Sequence, residues 1–154
     1  MTGRPGRPTE GRRRSRDYTV VIWLLSAVII AAAHRLVPES TWLMVHLVLL
    51  GALTHSVFVW SQHFANALLK VRPDEARARA QNRRLMLLSA GSLAVFIGVP
   101  ATWWWLVVAG ATVVTAAVAW HGTSLWRMLR DALPGRFRIS VWYYVAAACF
   151  LPVG

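Results

Sequence analysis

Long apolar runs, each bounded by proline or by a cluster of arginines, divide this chain, and they leave few ways for it to fold. A hydrocarbon core of about 30 Å is crossed by roughly 20 helical residues, because any other open backbone leaves unpaired polar groups in lipid. Four segments approach or exceed that length: about Tyr18 to Val37, closed by Pro38; about Thr41 to Leu69; about Leu85 to Val99, closed by Pro100; and about Thr102 to Trp126. The third is short unless it borrows residues from the linker 70–84. A fifth run begins near Ile139 and is still apolar at Gly154. The predicted fold is therefore all-α, a polytopic transmembrane helix bundle of four complete helices plus a truncated fifth. The chain is expected to be the N-terminal part of something longer.

Residues 1–17 are rich in Gly, Pro, Arg and Ser and lack apolar periodicity, which predicts a disordered basic tail ahead of a transmembrane domain over 18–154. A basic start, an apolar run and Ala31-Ala32-Ala33 also fit a cleaved signal peptide. The three apolar segments that follow favour a retained anchor. The linker 70–84 mixes Asp74 and Glu75 with Arg77, Arg79, Arg83 and Arg84, and is expected to be a solvated extension at the membrane surface.

Charge sets the orientation. Successive connections carry six Lys and Arg in the tail, one after the first helix, six after the second, none after the third and four after the fourth. Cationic connections stay in the cytoplasm, so the tail, 70–84 and 127–138 are predicted inside and the turns at Pro38 and Pro100 outside. Trp42 and Trp103-Trp104-Trp105 then fall at the outer interface and Trp126 at the inner one, where amphipathic rings prefer to sit. The expected location is the cell membrane, multi-pass, with a cytoplasmic N-terminus.

Composition supports lipid as the solvent. The chain is 56% hydrophobic yet carries a net charge of +11, a pairing that soluble domains seldom show. A pI near 11.7 suggests nucleic acid, but such binding needs basic residues gathered on one surface, and here apolar runs separate them. Nucleic acid is not an expected partner; a bilayer with anionic head groups is. Cys149 is the only cysteine, which excludes an intramolecular disulfide and a Cys-based zinc site.

Intramembrane ionisable residues are expensive and so are candidates for function. His46, His55 and His63 lie in the second predicted helix, His121 in the fourth, and His34 at the outer end of the first. At about 1.5 Å per residue His55 is about 21 Å deep, while His63 and His121 reach a similar cytoplasmic depth. Nine positions separate His46 from His55, a rotation of about 180° on an α-helical wheel, so one ion held by both is not expected. Neutral imidazole suits copper and haem iron; alternatively each His pins a neighbouring helix by a hydrogen bond. Gly51, Ser56, Gly91, Gly110 and Ala111 are expected to allow close helix packing. All six acidic residues lie outside the predicted spans, which argues against a carboxylate-based pump, and few polar residues besides His55, Thr54 and Thr112 suit a transporter.

The string His46-Leu47-Val48-Leu49-Leu50-Gly51, continuing through Thr54-His55 to Val59-Trp60-Ser61-Gln62-His63-Phe64, resembles the N-terminal membrane region of actinobacterial membrane-anchored multicopper oxidase and copper nitrite reductase-like proteins. Trp120-His121-Gly122 and Leu133-Pro134-Gly135-Arg136-Phe137-Arg138 look similar as well. A helix that begins His-Leu-x-x-x-Gly is also similar to haem-ligating helices of haem–copper membrane proteins. The resemblance implies copper or haem as cofactor, held by His46 and His55, with His63 and His121 as further metal-ligand candidates. It also implies an external cupredoxin-type domain as partner, which this chain does not contain. On that likeness the chain is the membrane-embedded part of a copper-oxidase-like redox protein, inactive alone. The alternative is a non-enzymatic membrane anchor or assembly protein whose histidines only pack helices.

Overall fold

A computed structural model describes residues 9–68, 75–131 and 138–150, and among them all regular structure is helical. The order is α1 (Thr9–Ala32), α2 (Ser40–His46), a π-helical segment (Leu47–Leu53), α3 (Thr54–Leu68), α4 (Glu75–Gly98), α5 (Trp104–Asp131) and α6 (Arg138–Phe150).

Boundaries follow local chemistry. α1 starts at Thr9, inside the segment expected to be disordered; once a downstream turn exists, propagation through Arg and Glu adds one hydrogen bond per residue fixed. It stops at Ala32 rather than Val37, where turns lead into Pro38 and the His34 Nδ1–H donates to the Ala31 carbonyl at 3.0 Å. α4 does take up most of the linker, beginning at Glu75, so at about 1.5 Å per residue its 24 residues measure about 36 Å. Its start also overturns the reading of 70–84 as wholly solvated: Arg84 is 2% exposed and Gln81 is buried, while Arg77 and Arg79 stay outside. Residues 69–74, which complete that linker, lie outside the described residues.

Two helices are long and apolar enough to cross a membrane, Ser40–Leu68, continuous through the π segment, and Trp104–Arg130. The other expected spans fall short of that measure for identifiable reasons. In α1 the apolar portion is Tyr18–Ala32; in α4 the N-terminal third is charged; and α6 has 13 residues, about 20 Å.

The π segment was not foreseen. The Thr54 N–H donates to the Leu49 carbonyl, five residues back, and the Thr54 hydroxyl shares that acceptor at 2.9 Å. A π turn rotates less per residue than an α turn, so the wheel separation of about 180° between His46 and His55 does not hold.

Small residues set the helix spacing. α4 and α5 pack antiparallel over most of their length, joined by a tight turn in which the Trp103 N–H donates to the Gly98 carbonyl at 2.9 Å. Where they cross, a Cβ on Gly91 would lie 2.9 Å from the Gly110 carbonyl oxygen, and a Cβ on Gly110 2.7 Å from that of Gly91. Gly51, within the π segment, receives the Trp23 ring, 3.0 Å from where a Cβ would stand. These three glycines do what the sequence suggests, whereas Ala111 is exposed and Ser56 bonds back to the Ala52 carbonyl.

Three apolar clusters hold the bundle. Trp23, Ala27, Leu43, Leu47, Ala52 and Phe96 join α1 and α2 to the end of α4; Phe58, Leu85, Leu88, Ala117 and Val118 join α3, α4 and α5; Ala65, Leu125, Met128 and Leu129 join α3 to α5. The outer surface is also apolar, with Ile22, Val28, Ile29, Ile97, Trp104, Trp105 and Val108 all more than half exposed.

Candidate functional site

A seam of polar side chains runs through the interior of this apolar bundle: Thr54, His55, Ser61, Gln62, Gln81, Arg84, Ser92 and His121 are all buried. Unpaired polar groups are costly away from water, so the partners of each decide what the seam can do.

The first centre is His55, held between the π segment and α4. Its Nδ1 lies 2.6 Å from the Gly51 carbonyl oxygen and its Nε2 2.8 Å from Ser89 Oγ. A carbonyl only accepts, so Nδ1 carries the proton and donates, and Nε2 accepts from the Ser89 hydroxyl. The Trp23 ring lies beside the imidazole, centroids 5.8 Å apart, and contacts Phe96 edge-on. Next to Ser89 a cleft of about 450 Å³ opens at the surface, lined by His55, Val59, Asn82, Leu85, Met86 and Leu93 among others.

The second centre is His121 on α5. Its ring stacks on Phe58, centroids 4.2 Å apart and 13° from parallel. Arg84 Nη1 lies 3.4 Å from His121 Nδ1, and Ser61 Oγ lies 2.8 Å from His121 Nε2. Arginine only donates, so Nδ1 accepts and Nε2–H donates to Ser61, the opposite tautomer to His55. Arg84 also donates from Nε to the Ala80 carbonyl and lies 5.9 Å from the Trp120 ring centre. Among the described residues the one ion pair is Arg79–Glu75, on the surface, so this buried guanidinium has no carboxylate beside it. Close by in sequence, Gln62 donates to Met128 Sδ at 3.1 Å, and its Oε1 has no partner among the described residues, as is also true of Trp23 Nε1 and Ser92 Oγ.

The remaining histidines stand apart. His46 is half-buried, stacked on Trp42 at 3.9 Å with Nδ1–H donating to the Trp42 carbonyl at 2.8 Å. His63 is exposed and touches Trp60 and Phe64 edge-on. Among the described residues, no three of the His, Cys, Asp and Glu side chains converge. The structure therefore places His55 and His121 in two separate buried networks and leaves His46 and His63 outside both.

Sequence reasoning missed Arg84, Ser61 and Gln62 as members of the seam, and the half-buried Ser89 as the partner of His55. A signal existed for one pair, since Ser61 lies two positions from His63, the residue whose depth matches that of His121. For Arg84 the signal was its place at the end of a charge run, one residue before the apolar stretch begins.

No protein-family model, curated protein or solved structure matches this chain, so the likeness to copper oxidases rests on the residue strings alone.

Proposed function

We infer that the chain is a multi-pass integral membrane protein with its N-terminus in the cytoplasm, an anchor or assembly component whose buried histidines fasten its helices together. One observation carries this reading: polarity is reversed from that of a water-soluble domain. The interior holds an arginine, two histidines and two glutamines, while Val, Ile, Leu and Trp face outward from α1, α2, α4 and α5. In lipid, polar residues turn inward and bond between helices, as the pairs His55–Ser89 and Ser61–His121 do. The basic connections place the tail and 70–84 on the cytoplasmic side, and the exposed Trp103-Trp104-Trp105 suits the outer interface. In this threading α1, the Ser40–Leu68 helix, α4 and α5 are the four crossings, and anionic lipids face the arginines.

Single engineered cysteines in a Cys149→Ala background test the threading. A membrane-impermeant thiol reagent applied to intact cells should label position 101 and leave position 78 unlabelled. The reverse pattern overturns the orientation.

A second reading, ligation of copper or haem as part of a redox protein with an external cupredoxin-type domain, is favoured by one feature of His55. Its Nδ1–H is fixed on a backbone carbonyl, which leaves Nε2 as a lone-pair donor, the arrangement that orients a ligating imidazole. His55 would be the ligand, with Ser89 turned aside; a bound metal or haem would supply electron-transfer chemistry. Absorbance near the haem Soret band and metal analysis of the purified full-length chain decide it. Loss of a bound cofactor in His55→Leu supports ligation, and a fall in thermal stability with no spectral change supports packing.

A further inference from the structure

We propose that the cleft beside Ser89 binds a lipid-dissolved molecule that enters hydroxyl first, of the quinol class. The site rests on the membrane reading above, because its mouth has to open to lipid.

The direction of the hydrogen bonds selects the ligand. The Gly51 carbonyl, in the π segment, can only accept, which puts the proton of His55 on Nδ1. Nε2 must then accept, and the hydroxyl proton of Ser89 is committed to it across 2.8 Å. What Ser89 has left for the cleft is oxygen lone pairs. A group meeting Ser89 completes the chain only if it brings a donor, so at this oxygen a hydroxyl fits and a quinone carbonyl does not; Asn82, whose amide donates or accepts, does not discriminate between them. Aligned in this way, the bonds from ligand hydroxyl to Ser89 to His55 to Gly51 polarise one another in one direction.

The cleft has the shape and lining for such a molecule. Its volume of about 450 Å³ lies within the range of small-molecule sites, which combine apolar walls with a few placed polar groups. Asn82, Ser89 and the apolar Leu85, Met86 and Leu93 recur at helical spacing along one side of α4, so the groove follows the helix axis. In the proposed threading Asn82 lies at the cytoplasmic end and His55 toward the middle of the bilayer, which points the mouth at the inner leaflet. An acyl chain alone would need none of these polar groups. A run of π turns is also uncommon, and short π-helical interruptions frequently mark functional sites; this one presents the Gly51 carbonyl that sets the chain of donors.

Full-length protein in lipid nanodiscs, kept anaerobic, is titrated with three probes that share a tail: a decyl-substituted benzoquinol, the matching benzoquinone and decylbenzene. The expected result is saturable binding of the quinol at one site, about tenfold or more tighter than either other probe. Ala90→Phe places a ring in the mouth from an exposed position and should weaken the quinol by a similar factor at unchanged melting temperature. Equal binding of all three probes reduces the cleft to a greasy groove and overturns the proposal. Quinone binding as tight as quinol overturns the donor logic, and no saturable binding overturns the site. Failure of the membrane reading is told apart by flotation: protein that does not float with liposomes sinks both inferences, whereas protein that floats but does not discriminate the probes sinks this one alone.

Discussion

Arg84 and His121, two basic side chains, meet in the interior of the bundle, with the guanidinium Nη1 3.4 Å from the imidazole Nδ1. The contact works because the imidazole is neutral and turns its lone pair toward the arginine, while its other nitrogen holds Ser61 on α3. Three helices are thus joined through one ring. The desolvation of the guanidinium is offset by the Ala80 carbonyl, the Trp120 face and this lone pair, with no carboxylate beside it among the described residues.

From this arrangement the two partners should respond unequally to substitution. His121→Phe keeps the stack on Phe58 but leaves a buried cation and a buried hydroxyl short of a partner, at a cost of about 2–3 kcal/mol. Arg84→Met removes the buried charge with similar volume and leaves only the neutral His121 Nδ1 without its donor, so it should cost less, about 1 kcal/mol. Denaturant unfolding in mixed micelles measures both. The opposite ranking would mean that the guanidinium is held by something other than His121.

The Gly91–Gly110 crossing predicts a second asymmetry. Gly110→Ala drives a methyl group into the Gly91 backbone oxygen, which cannot swing away as a side-chain tip could, so α4 and α5 must separate. Overpacking of this kind costs about 1–3 kcal/mol. Ala111→Leu, one residue on but exposed, should be nearly neutral, and thermal unfolding in the same micelles compares the two. If both variants melt alike, the close approach contributes nothing to stability.

How much of this was written in the sequence depends on the length scale at which it is encoded. Helices and their rough limits follow from runs of apolar residues and from Pro38 and Pro100, because burial of apolar surface and backbone hydrogen bonding act on whole segments. The close approach at Gly51, Gly91 and Gly110 was legible for the same reason, since a missing side chain leaves few uses inside a helix. The tautomers of His55 and His121 were not, because that of His121 is set by Arg84, 37 residues away, and that of His55 by the Gly51 carbonyl four residues back, and whether either partner reaches its ring depends on helix rotation. That rotation is altered by the π segment, for which Leu47–Leu53 carries no compositional mark. Arg84 was misread because a charge run was treated as one solvated surface, whereas its final residue turns inward with the apolar face of α4.

Thr102 has φ 57°, in the left-handed region, within the turn between α4 and α5. A β-branched residue is strained there and glycine is not. Thr102→Gly should therefore raise the melting temperature slightly, by the equivalent of about 0.5–1 kcal/mol, despite losing the hydroxyl contact to the Ala101 carbonyl. Thr102→Val, which keeps the branch and removes the hydroxyl, should not. Differential scanning fluorimetry on the two variants separates relief of backbone strain from loss of a hydrogen bond.

The solvent itself is open to a direct test at Ala116, which is exposed near the middle of α5, a helix long enough to span. On the surface of a water-soluble protein, replacing an exposed alanine by lysine changes stability by no more than about 0.5 kcal/mol and improves solubility. Facing hydrocarbon near a helix centre, the same lysine raises the apparent insertion free energy by about 2.5–3.5 kcal/mol. Arg127→Lys, at the basic end of α5, supplies the control, since a cation there already sits at the interface and should insert as before. A flotation assay after synthesis into liposomes reads both variants as the fraction that is membrane-integrated. Ala116→Lys should fall well below Arg127→Lys; equal recovery in the floated fraction would mean that this face of α5 never meets lipid and that the inverted polarity of the bundle has another cause.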